Sequence, residues 1–379
     1  MKIIDEIIEK DIQVNKYLDI FKITNSDINY KEIKNEEVIF FDIETTGLNV
    51  SKTNLYLIGF VYFKDSKWHY CQLFGDSIKD EESILLKFET ICSSYKYLIH
   101  FNGDHFDIPY INEKCNTHGI SRYLDNLISI DLYLLVKLYK AHLGLKNCKQ
   151  KTIEDLLSIT REDKFNGGEL IPQYFAYMKS HDEELYRNLL LHNAEDCMGM
   201  LKLLDITDYI KLVEFIQNGT YDLKISNSKD SDFFSFTLIP DNFRDLENIN
   251  SNNFSFRNYN IAIANNELVF KTSLYDNELK HFFKDYQNYY YVPSKDTAMH
   301  KSVAKFMDSG NREKCKAANC YVKQSGIFIP IFGEIEDTLV FKDDNKSTNN
   351  YILFISETDI KDVNDLVSCL KNSLRKINE

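Results

Sequence analysis

The chain has 379 residues, 44% of them hydrophobic, and its 45 Lys and Arg against 58 Asp and Glu leave a net charge of −13. That length allows two or three domains with separate cores, and the acidic balance argues against a protein that coats nucleic acid through bulk attraction, while leaving room for an enzyme that handles one strand end. No apolar run approaches the roughly 20 residues of a membrane helix, and MKIIDEIIEKD lacks the basic region, apolar block and cleavage site of a secretory signal, so a cytoplasmic protein with no membrane partner is expected.

In chain order, residues 1–35 read as an N-terminal extension of one or two amphipathic helical pieces, because Ile3, Ile4, Ile7 and Ile8 recur at helical spacing. EVIFFDIE, NLYLIGFVYF and KWHYCQLF then read as three strands of an antiparallel meander. DEESILLKFETICSS reads as a helix, YKYLIHF as a strand, FDIPYINEKCNTHG as a helix ended by Gly119, and LISID as a short strand before a helical region over about 131–212. This order predicts an α/β layer fold, a mixed sheet flanked by helices.

After residue 213 the chain turns rich in Asn, Ser and Asp, with short strands such as YNIAIA and ELVFKTSLY, a helix over TAMHKSVAKFM and a terminal helix over DIKDVNDLVSCLKNSL. A second, α+β domain over 213–379 is expected. The eight cysteines are scattered and read as reduced thiols; Cys315 and Cys320, with His300 upstream, fit no zinc spacing.

Three clusters of acids stand out. Asp42 and Glu44 are two apart on a strand, so both leave the same face; either the strand end reaches solvent, or a divalent cation sits between them. Asp107 lies at a helix start in IHFNGDHFDIPY, where an acid also simply complements the helix dipole. In LLLHNAEDCMGMLKLL, on a helix whose start is marked by a capping-box pattern at Ser180 and Glu183, the residues Leu189, His192, Asp196 and Met200 share one stripe. A carboxylate on a buried face needs a partner, so Asp196 belongs either to a structural His–Asp pair or to a functional centre.

FDIETTG, HFNGDHFDIPY and HNAEDC, in that order, resemble the three exonuclease motifs of the DEDD superfamily, whose domains have an RNase H-like fold. The stretch KQKTIEDLLSITREDKF through HNAEDC is similar to the YprB-type RNase H-like family. The resemblance covers about 36–212 and implies an RNase H-like mixed five-stranded sheet carrying two Mg²⁺ or Mn²⁺ ions. Asp42 would bridge the ions, Glu44 and Asp196 would complete one site, and Asp107 would support the other. His192 would accept a proton or orient water; it stands four residues before Asp196, where the histidine branch has five and the tyrosine branch has a Tyr at four.

The resemblance also implies that Thr45, Thr46, Gly47 and Leu48 grip the terminal nucleotide, and that Asn102 and Phe106 contact sugar and base. A plain turn at Thr45 and a core position for Phe106 are the ordinary alternatives. Between 295 and 323, Lys295, Lys301, Lys305, Arg312, Lys314, Lys316 and Lys323 outnumber Asp296, Asp308 and Glu313 for a local charge of +4. Lys301, Lys305 and Arg312 would there contact a nucleic-acid backbone, or else lie on a solvated helix face; Met299, Val303 and Phe306 would turn to a core. The expected function is a two-metal-ion nuclease, a 3′–5′ exonuclease on DNA or RNA. The rivals are a structure-selective endonuclease on the same acids and a noncatalytic nucleic-acid-binding or scaffold protein. Too little chain remains for a polymerase.

Overall fold

The computed structural model describes residues 1–225, 232–242, 246–247, 249–256, 258–331 and 338–354. The expected terminal helix over 359–374 lies outside the described residues. Two compact units divide the chain, Met1–Lys211 and Leu212–Glu379.

The first unit is built on a six-stranded mixed sheet of β1 (Lys2–Ile8), β2 (Val38–Thr45), β3 (Leu55–Lys64), β4 (Lys67–Phe74), β5 (Tyr97–His100) and β6 (Ile128–Asp131). Its spatial order is β1-β4-β3-β2-β5-β6. β2, β3 and β4 form the expected antiparallel meander, and β5 and β6 add in parallel. Around them lie α1 (Asn15–Leu18), α2 (Glu81–Cys92), α3 (Asp107–His118), α4 (Leu132–Tyr139), α5 (Gln150–Leu156), α6 (Gly167–Ser180) and α7 (Glu183–Leu203), and the boundary between the two units falls within α8 (Ile206–Asn218).

The N-terminus departs from its helical pattern. Lys2–Ile8 is an edge strand antiparallel to β4, Lys2 opposite Phe74 and Ile8 opposite Trp68. β4 would otherwise present an unpaired row of backbone groups, and satisfying it outweighs the local helical periodicity. Lys2 clamps this strand to α6, reaching the Tyr177 hydroxyl at 2.9 Å and Asp76 at 3.3 Å, while Tyr177 donates to Asp76 at 2.6 Å. The sheet therefore has six strands, one more than the five expected.

Aliphatic and aromatic side chains of β2, β3, α2 and α3 form one core, with Ile39, Phe41, Ile58, Phe60, Leu85, Phe88 and Ile111 buried. On the other face, Tyr56 and Leu57 of β3 and Phe74 of β4 pack against Tyr174 and Tyr177 of α6 and Leu189 of α7, with Tyr56 and Tyr174 stacked at 4.0 Å. α7 thereby lies on β3 and β4, and it also meets β2, the strand that carries the first acids. Its N-cap is Asp182, whose Oδ1 accepts from the Glu184 and Leu185 N–H groups at 2.9 and 3.0 Å. Ser180, expected to cap it, is instead the last residue of α6 and donates back to the Ala176 carbonyl.

The described part of the second unit is mostly β structure. A five-stranded sheet has the order β7-β8-β11-β10-β9, from β7 (Tyr221–Ile225), β8 (Phe233–Pro240), β9 (Asn253–Phe256), β10 (Tyr259–Ala264) and β11 (Glu267–Ser273). β12 (Tyr275–Phe282), β16 (Tyr321–Ile331) and β17 (Asn350–Leu353) form a second sheet, and β13 (Tyr289–Val292), β14 (Thr297–His300) and β15 (Glu313–Lys314) a third. Over TAMHKSVAKFM the first four residues are β14, paired with β13, and only Lys301–Ala304 are helical (α9). Helical phase does not carry across a strand, so the expected buried stripe fails: Val303 and Phe306 are 56% and 83% exposed, and Ala298 and Ala304 fill the interior instead.

Candidate metal centre

β2 delivers Asp42 and Glu44 from its C-terminal half, and the register slips between Glu44 and Thr45, where the strand leaves the ladder. Asp107 is the first residue of α3, and α7 brings His192, Asn193 and Asp196 across the sheet face. Asp42 and Glu44 feel the charges of Asp196 and Asp107, which come from two other segments. Burial first, then the negative charges of Asp196, Asp107 and Glu44, push the Asp42 carboxyl well above the usual range; burial, Asp196 and Asp107 do the same to Glu44. Asp107 is pushed up to about 6 by burial, against the pull of His100 and of backbone N–H groups at Asp107 itself and Ile43. Neighbouring carboxylates with little water around them are a strained arrangement that a divalent cation relieves.

Glu44, His192 and Asp196 each offer a ligand atom within 4.8 Å of the others. His192 is 6% exposed. Its Nε2 lies 3.5 Å from Glu44 Oε1 and 3.4 Å from Asp196 Oδ2, and its Nδ1 lies 2.7 Å from Asp163 Oδ2. An ionised carboxylate only accepts, so this bond places a proton on Nδ1. Burial works against ionisation of Asp163, but the Phe165 N–H, His192 and Lys151 outweigh it and hold the carboxyl below its ordinary range. The partner that the sequence demanded for Asp196 is Arg161, whose Nη1 pairs with Asp196 Oδ1 at 2.6 Å. The same guanidinium grips buried Glu154 with two contacts of 2.5 Å, a bidentate pair that fixes its plane.

Asn193 ties helix to strand. Its Nδ2 donates to Asp42 Oδ2 at 3.0 Å, and its Oδ1 accepts from Gln72 Nε2 at 3.1 Å. The approach depends on Gly59, directly opposite Asp42 in the ladder. A Cβ there would lie 2.0 Å from Asn193 Oδ1 and 2.7 Å from Cys197 Sγ. Sequence reasoning missed Asp163, Arg161, Glu154, Asn193 and Gly59. Asn193 adjoins His192 in HNAEDC and was open to notice, whereas Asp163 and Arg161 lie in an irregular loop without a pattern.

The segment after Glu44 is a braced loop. Thr45 Oγ1 donates to the Gly47 carbonyl at 2.9 Å, the Asn54 N–H donates to Thr46 Oγ1 at 2.8 Å, and Gly47 adopts φ +150°. Thr53 Oγ1 meets the Tyr110 hydroxyl at 2.9 Å. Behind it, buried Lys114 donates to the Thr53 carbonyl and pairs with buried Glu81 at 3.1 Å, and Glu81 accepts from the Leu55 N–H at 2.6 Å. Leu48 projects from this loop, 84% exposed. Asn102 sits at φ +64° with its N–H on Asp131 Oδ1 at 2.8 Å, and Phe106 is half-buried against the core, 5.5 Å from the Tyr110 ring.

In the second unit, Lys301 and Lys305 are exposed. The Arg312 guanidinium lies 4.9 Å over the Tyr290 ring and donates to the Ala304 carbonyl. Lys323 is neutralised by Asp296 at 2.6 Å and Glu278 at 3.3 Å. Cys315 and Cys320 are free and buried.

Residues 39–207 match the RNase_H_2 family of the RNase H superfamily, and the mixed sheet with its flanking helices is consistent with an RNase H-like fold. No curated protein matches the chain in sequence. Among solved structures, similar ones include the family B DNA polymerase from the hyperthermophilic archaeon Pyrobaculum calidifontis, at 12% identity and TM-score 0.36 over 53% of this chain and 33% of that one. Exonuclease I of E. coli in complex with a dT13 oligonucleotide is similar at 8% identity and TM-score 0.31, over 53% of this chain and 54% of that one. A moderately thermophilic Exonuclease I from Methylocaldum szegediense is similar at 10% identity and TM-score 0.31, over 54% of each chain. The chain spans between about a third and about half of the length of these structures. Among the described residues no helix is long and apolar enough to cross a membrane.

Proposed function

We propose that residues 36–212 form a two-metal-ion nuclease of the YprB-type DEDD kind, removing nucleotides from the 3′ end of DNA or RNA. The charges of Asp196 and Asp107 both reach Asp42 and Glu44, and this convergence of four acids carries this reading. Paired Mg²⁺ or Mn²⁺ ions would supply there an activated water and charge stabilisation for the attacking and leaving oxygens at phosphorus. The all-oxygen donors of the acids suit either ion.

The protein's own part is placement. β2 fixes Asp42 and Glu44 on a rigid strand, Asn193 sets the Asp42 carboxylate, and Arg161 holds one oxygen of Asp196 so that the other turns towards His192. The Nε2 of His192 has two uses in that space: taking a proton from the attacking water, the role implied by the sequence resemblance, or binding a cation directly. The braced Thr45–Gly47 loop and Leu48 would hold the terminal nucleotide, with Asn102 and Phe106 beside it. Lys301, Lys305 and Arg312, with exposed Phe306, would bind backbone and bases of the strand. The test is turnover of end-labelled linear oligonucleotides, as DNA and RNA, against a circular substrate, with Mg²⁺, Mn²⁺ or EDTA. Loss of single nucleotides from linear substrate alone is expected; degradation of the circle would replace the exonuclease with an endonuclease.

A further inference from the structure

We propose that His192 Nε2 is itself a metal ligand, completing with Glu44 and Asp196 a nitrogen-containing position that favours a first-row transition dication such as Mn²⁺ over Mg²⁺. The inference deepens the metal-nuclease reading and rests on it for the second ion only.

Three observations carry it. First come the separations. Two ligands bound at about 2.1 Å and set at 90° to 110° around one ion lie about 3.0–3.4 Å apart. Nε2 stands 3.5 Å from Glu44 Oε1 and 3.4 Å from Asp196 Oδ2, spacings close to that range and loose for hydrogen bonds. All three donors also fall within 4.8 Å of one another, a grouping that could hold one ion after a small inward shift.

Second, Asp163 takes the Nδ1 proton at 2.7 Å. That contact fixes the tautomer whose Nε2 lone pair faces the acids, and a carboxylate behind the imidazole is the usual support of a ligating histidine. Asp163 is itself locked, its Oδ1 accepting from the Phe165 N–H and its own N–H donating to Glu195. Third, Asp196 has only Oδ2 to give, because Arg161 occupies Oδ1. Two carboxylate oxygens and one imidazole nitrogen then cover one side of an ion and leave the other open to water or a phosphate oxygen. Imidazole binds transition dications far better than Mg²⁺, which dehydrates reluctantly and prefers oxygen.

The experiment is Mn²⁺ binding to the full chain followed by electron paramagnetic resonance, with nitrogen couplings read by pulsed methods in protein carrying ¹⁴N- or ¹⁵N-histidine. Wild type should show a histidine nitrogen coupled to Mn²⁺ and should bind Mn²⁺ at least tenfold more tightly than Mg²⁺. His192→Gln should abolish the coupling and reduce that preference to below threefold. Asp163→Asn should weaken Mn²⁺ binding by about 10-fold to 100-fold while Nε2 stays coupled. Bound Mn²⁺ without histidine coupling in wild type overturns the proposal and needs no variant to fold, as does an unchanged coupling in His192→Gln. Failure of the nuclease reading looks different: histidine-coupled Mn²⁺ with no turnover of any nucleic acid.

Discussion

Gly59→Ala should separate helix α7 from the sheet and so disperse the acids. The added methyl would stand 2.0 Å from Asn193 Oδ1, about 1.4 Å short of the 3.4 Å at which ordinary contact begins, and 2.7 Å from Cys197 Sγ. Two responses are open to the fold. Either α7 retreats, an overpacking strain of about 1–3 kcal/mol, or the Asn193 amide swings away. In the second case Asp42 Oδ2 loses its Asn193 donor, at about 1–3 kcal/mol for a buried polar group left unsatisfied, while Gln72 Nε2 keeps only the Leu190 carbonyl. The first route moves α7 donors relative to β2 donors and the second frees the Asp42 carboxylate that Asn193 positions, and a misplacement near 1 Å costs about 100-fold in rate. The expected outcome is a loss of about 2–3 kcal/mol in urea unfolding together with a fall of at least about 100-fold in nuclease turnover. Gly119→Ala is the control: it sits at φ +69° with no atom within 4 Å of a new Cβ, so it should cost about 1 kcal/mol of backbone strain and leave turnover intact. Wild-type stability and turnover in Gly59→Ala would refute the reasoning, because they would mean that close contact at this glycine does not set the position of α7.

Removing the lysine behind the Thr45–Gly47 loop, as in Lys114→Met, should destabilise the chain by about 2 kcal/mol in urea unfolding, since it takes one charged partner from the buried Glu81 carboxylate and leaves it the Leu55 N–H and His118. Asp76→Asn tests the edge-strand clamp: burial works against the Asp76 charge, but Tyr177 and Lys2 outweigh it and lower its pKa. A depressed folded-state pKa gives stability that is present above the unfolded value of about 3.9 and lost as pH falls through the folded one. The variant should therefore be less stable by about 0.5–1 kcal/mol at neutral pH, and calorimetry should find the difference closing below pH about 4. Mn²⁺ at a hundred times its dissociation constant should stabilise wild type by about 2.7 kcal/mol per occupied site, an increment that EDTA removes in a thermal melt.

Much of the first unit was legible because its signals are local. The apolar runs of β2 to β6 are bounded by turn residues, and Gly119 ends α3 in the left-handed conformation that glycine tolerates best. The acids were legible as three ordered motifs. What could not be read depends on partners distant in the chain: β1 is a strand because β4 has a free edge, and Asp163 matters because a loop 29 residues before His192 folds beneath its ring. The stretch around Lys301 misled because a strand and a four-residue helix share a run with helical spacing. Gly59 is one glycine in a strand, and only the register opposite Asp42 gives it meaning.

The most direct test is turnover on labelled oligonucleotide by wild type and Asp42→Asn, with Mn²⁺ present or chelated, beside a far-ultraviolet circular dichroism spectrum of each. Metal-dependent cleavage by wild type is the predicted result, with an Asp42→Asn protein that keeps its fold and loses the reaction by several orders of magnitude. Cleavage that persists in the variant, or in wild type under EDTA, would contradict the claim that these carboxylates hold the catalytic cations.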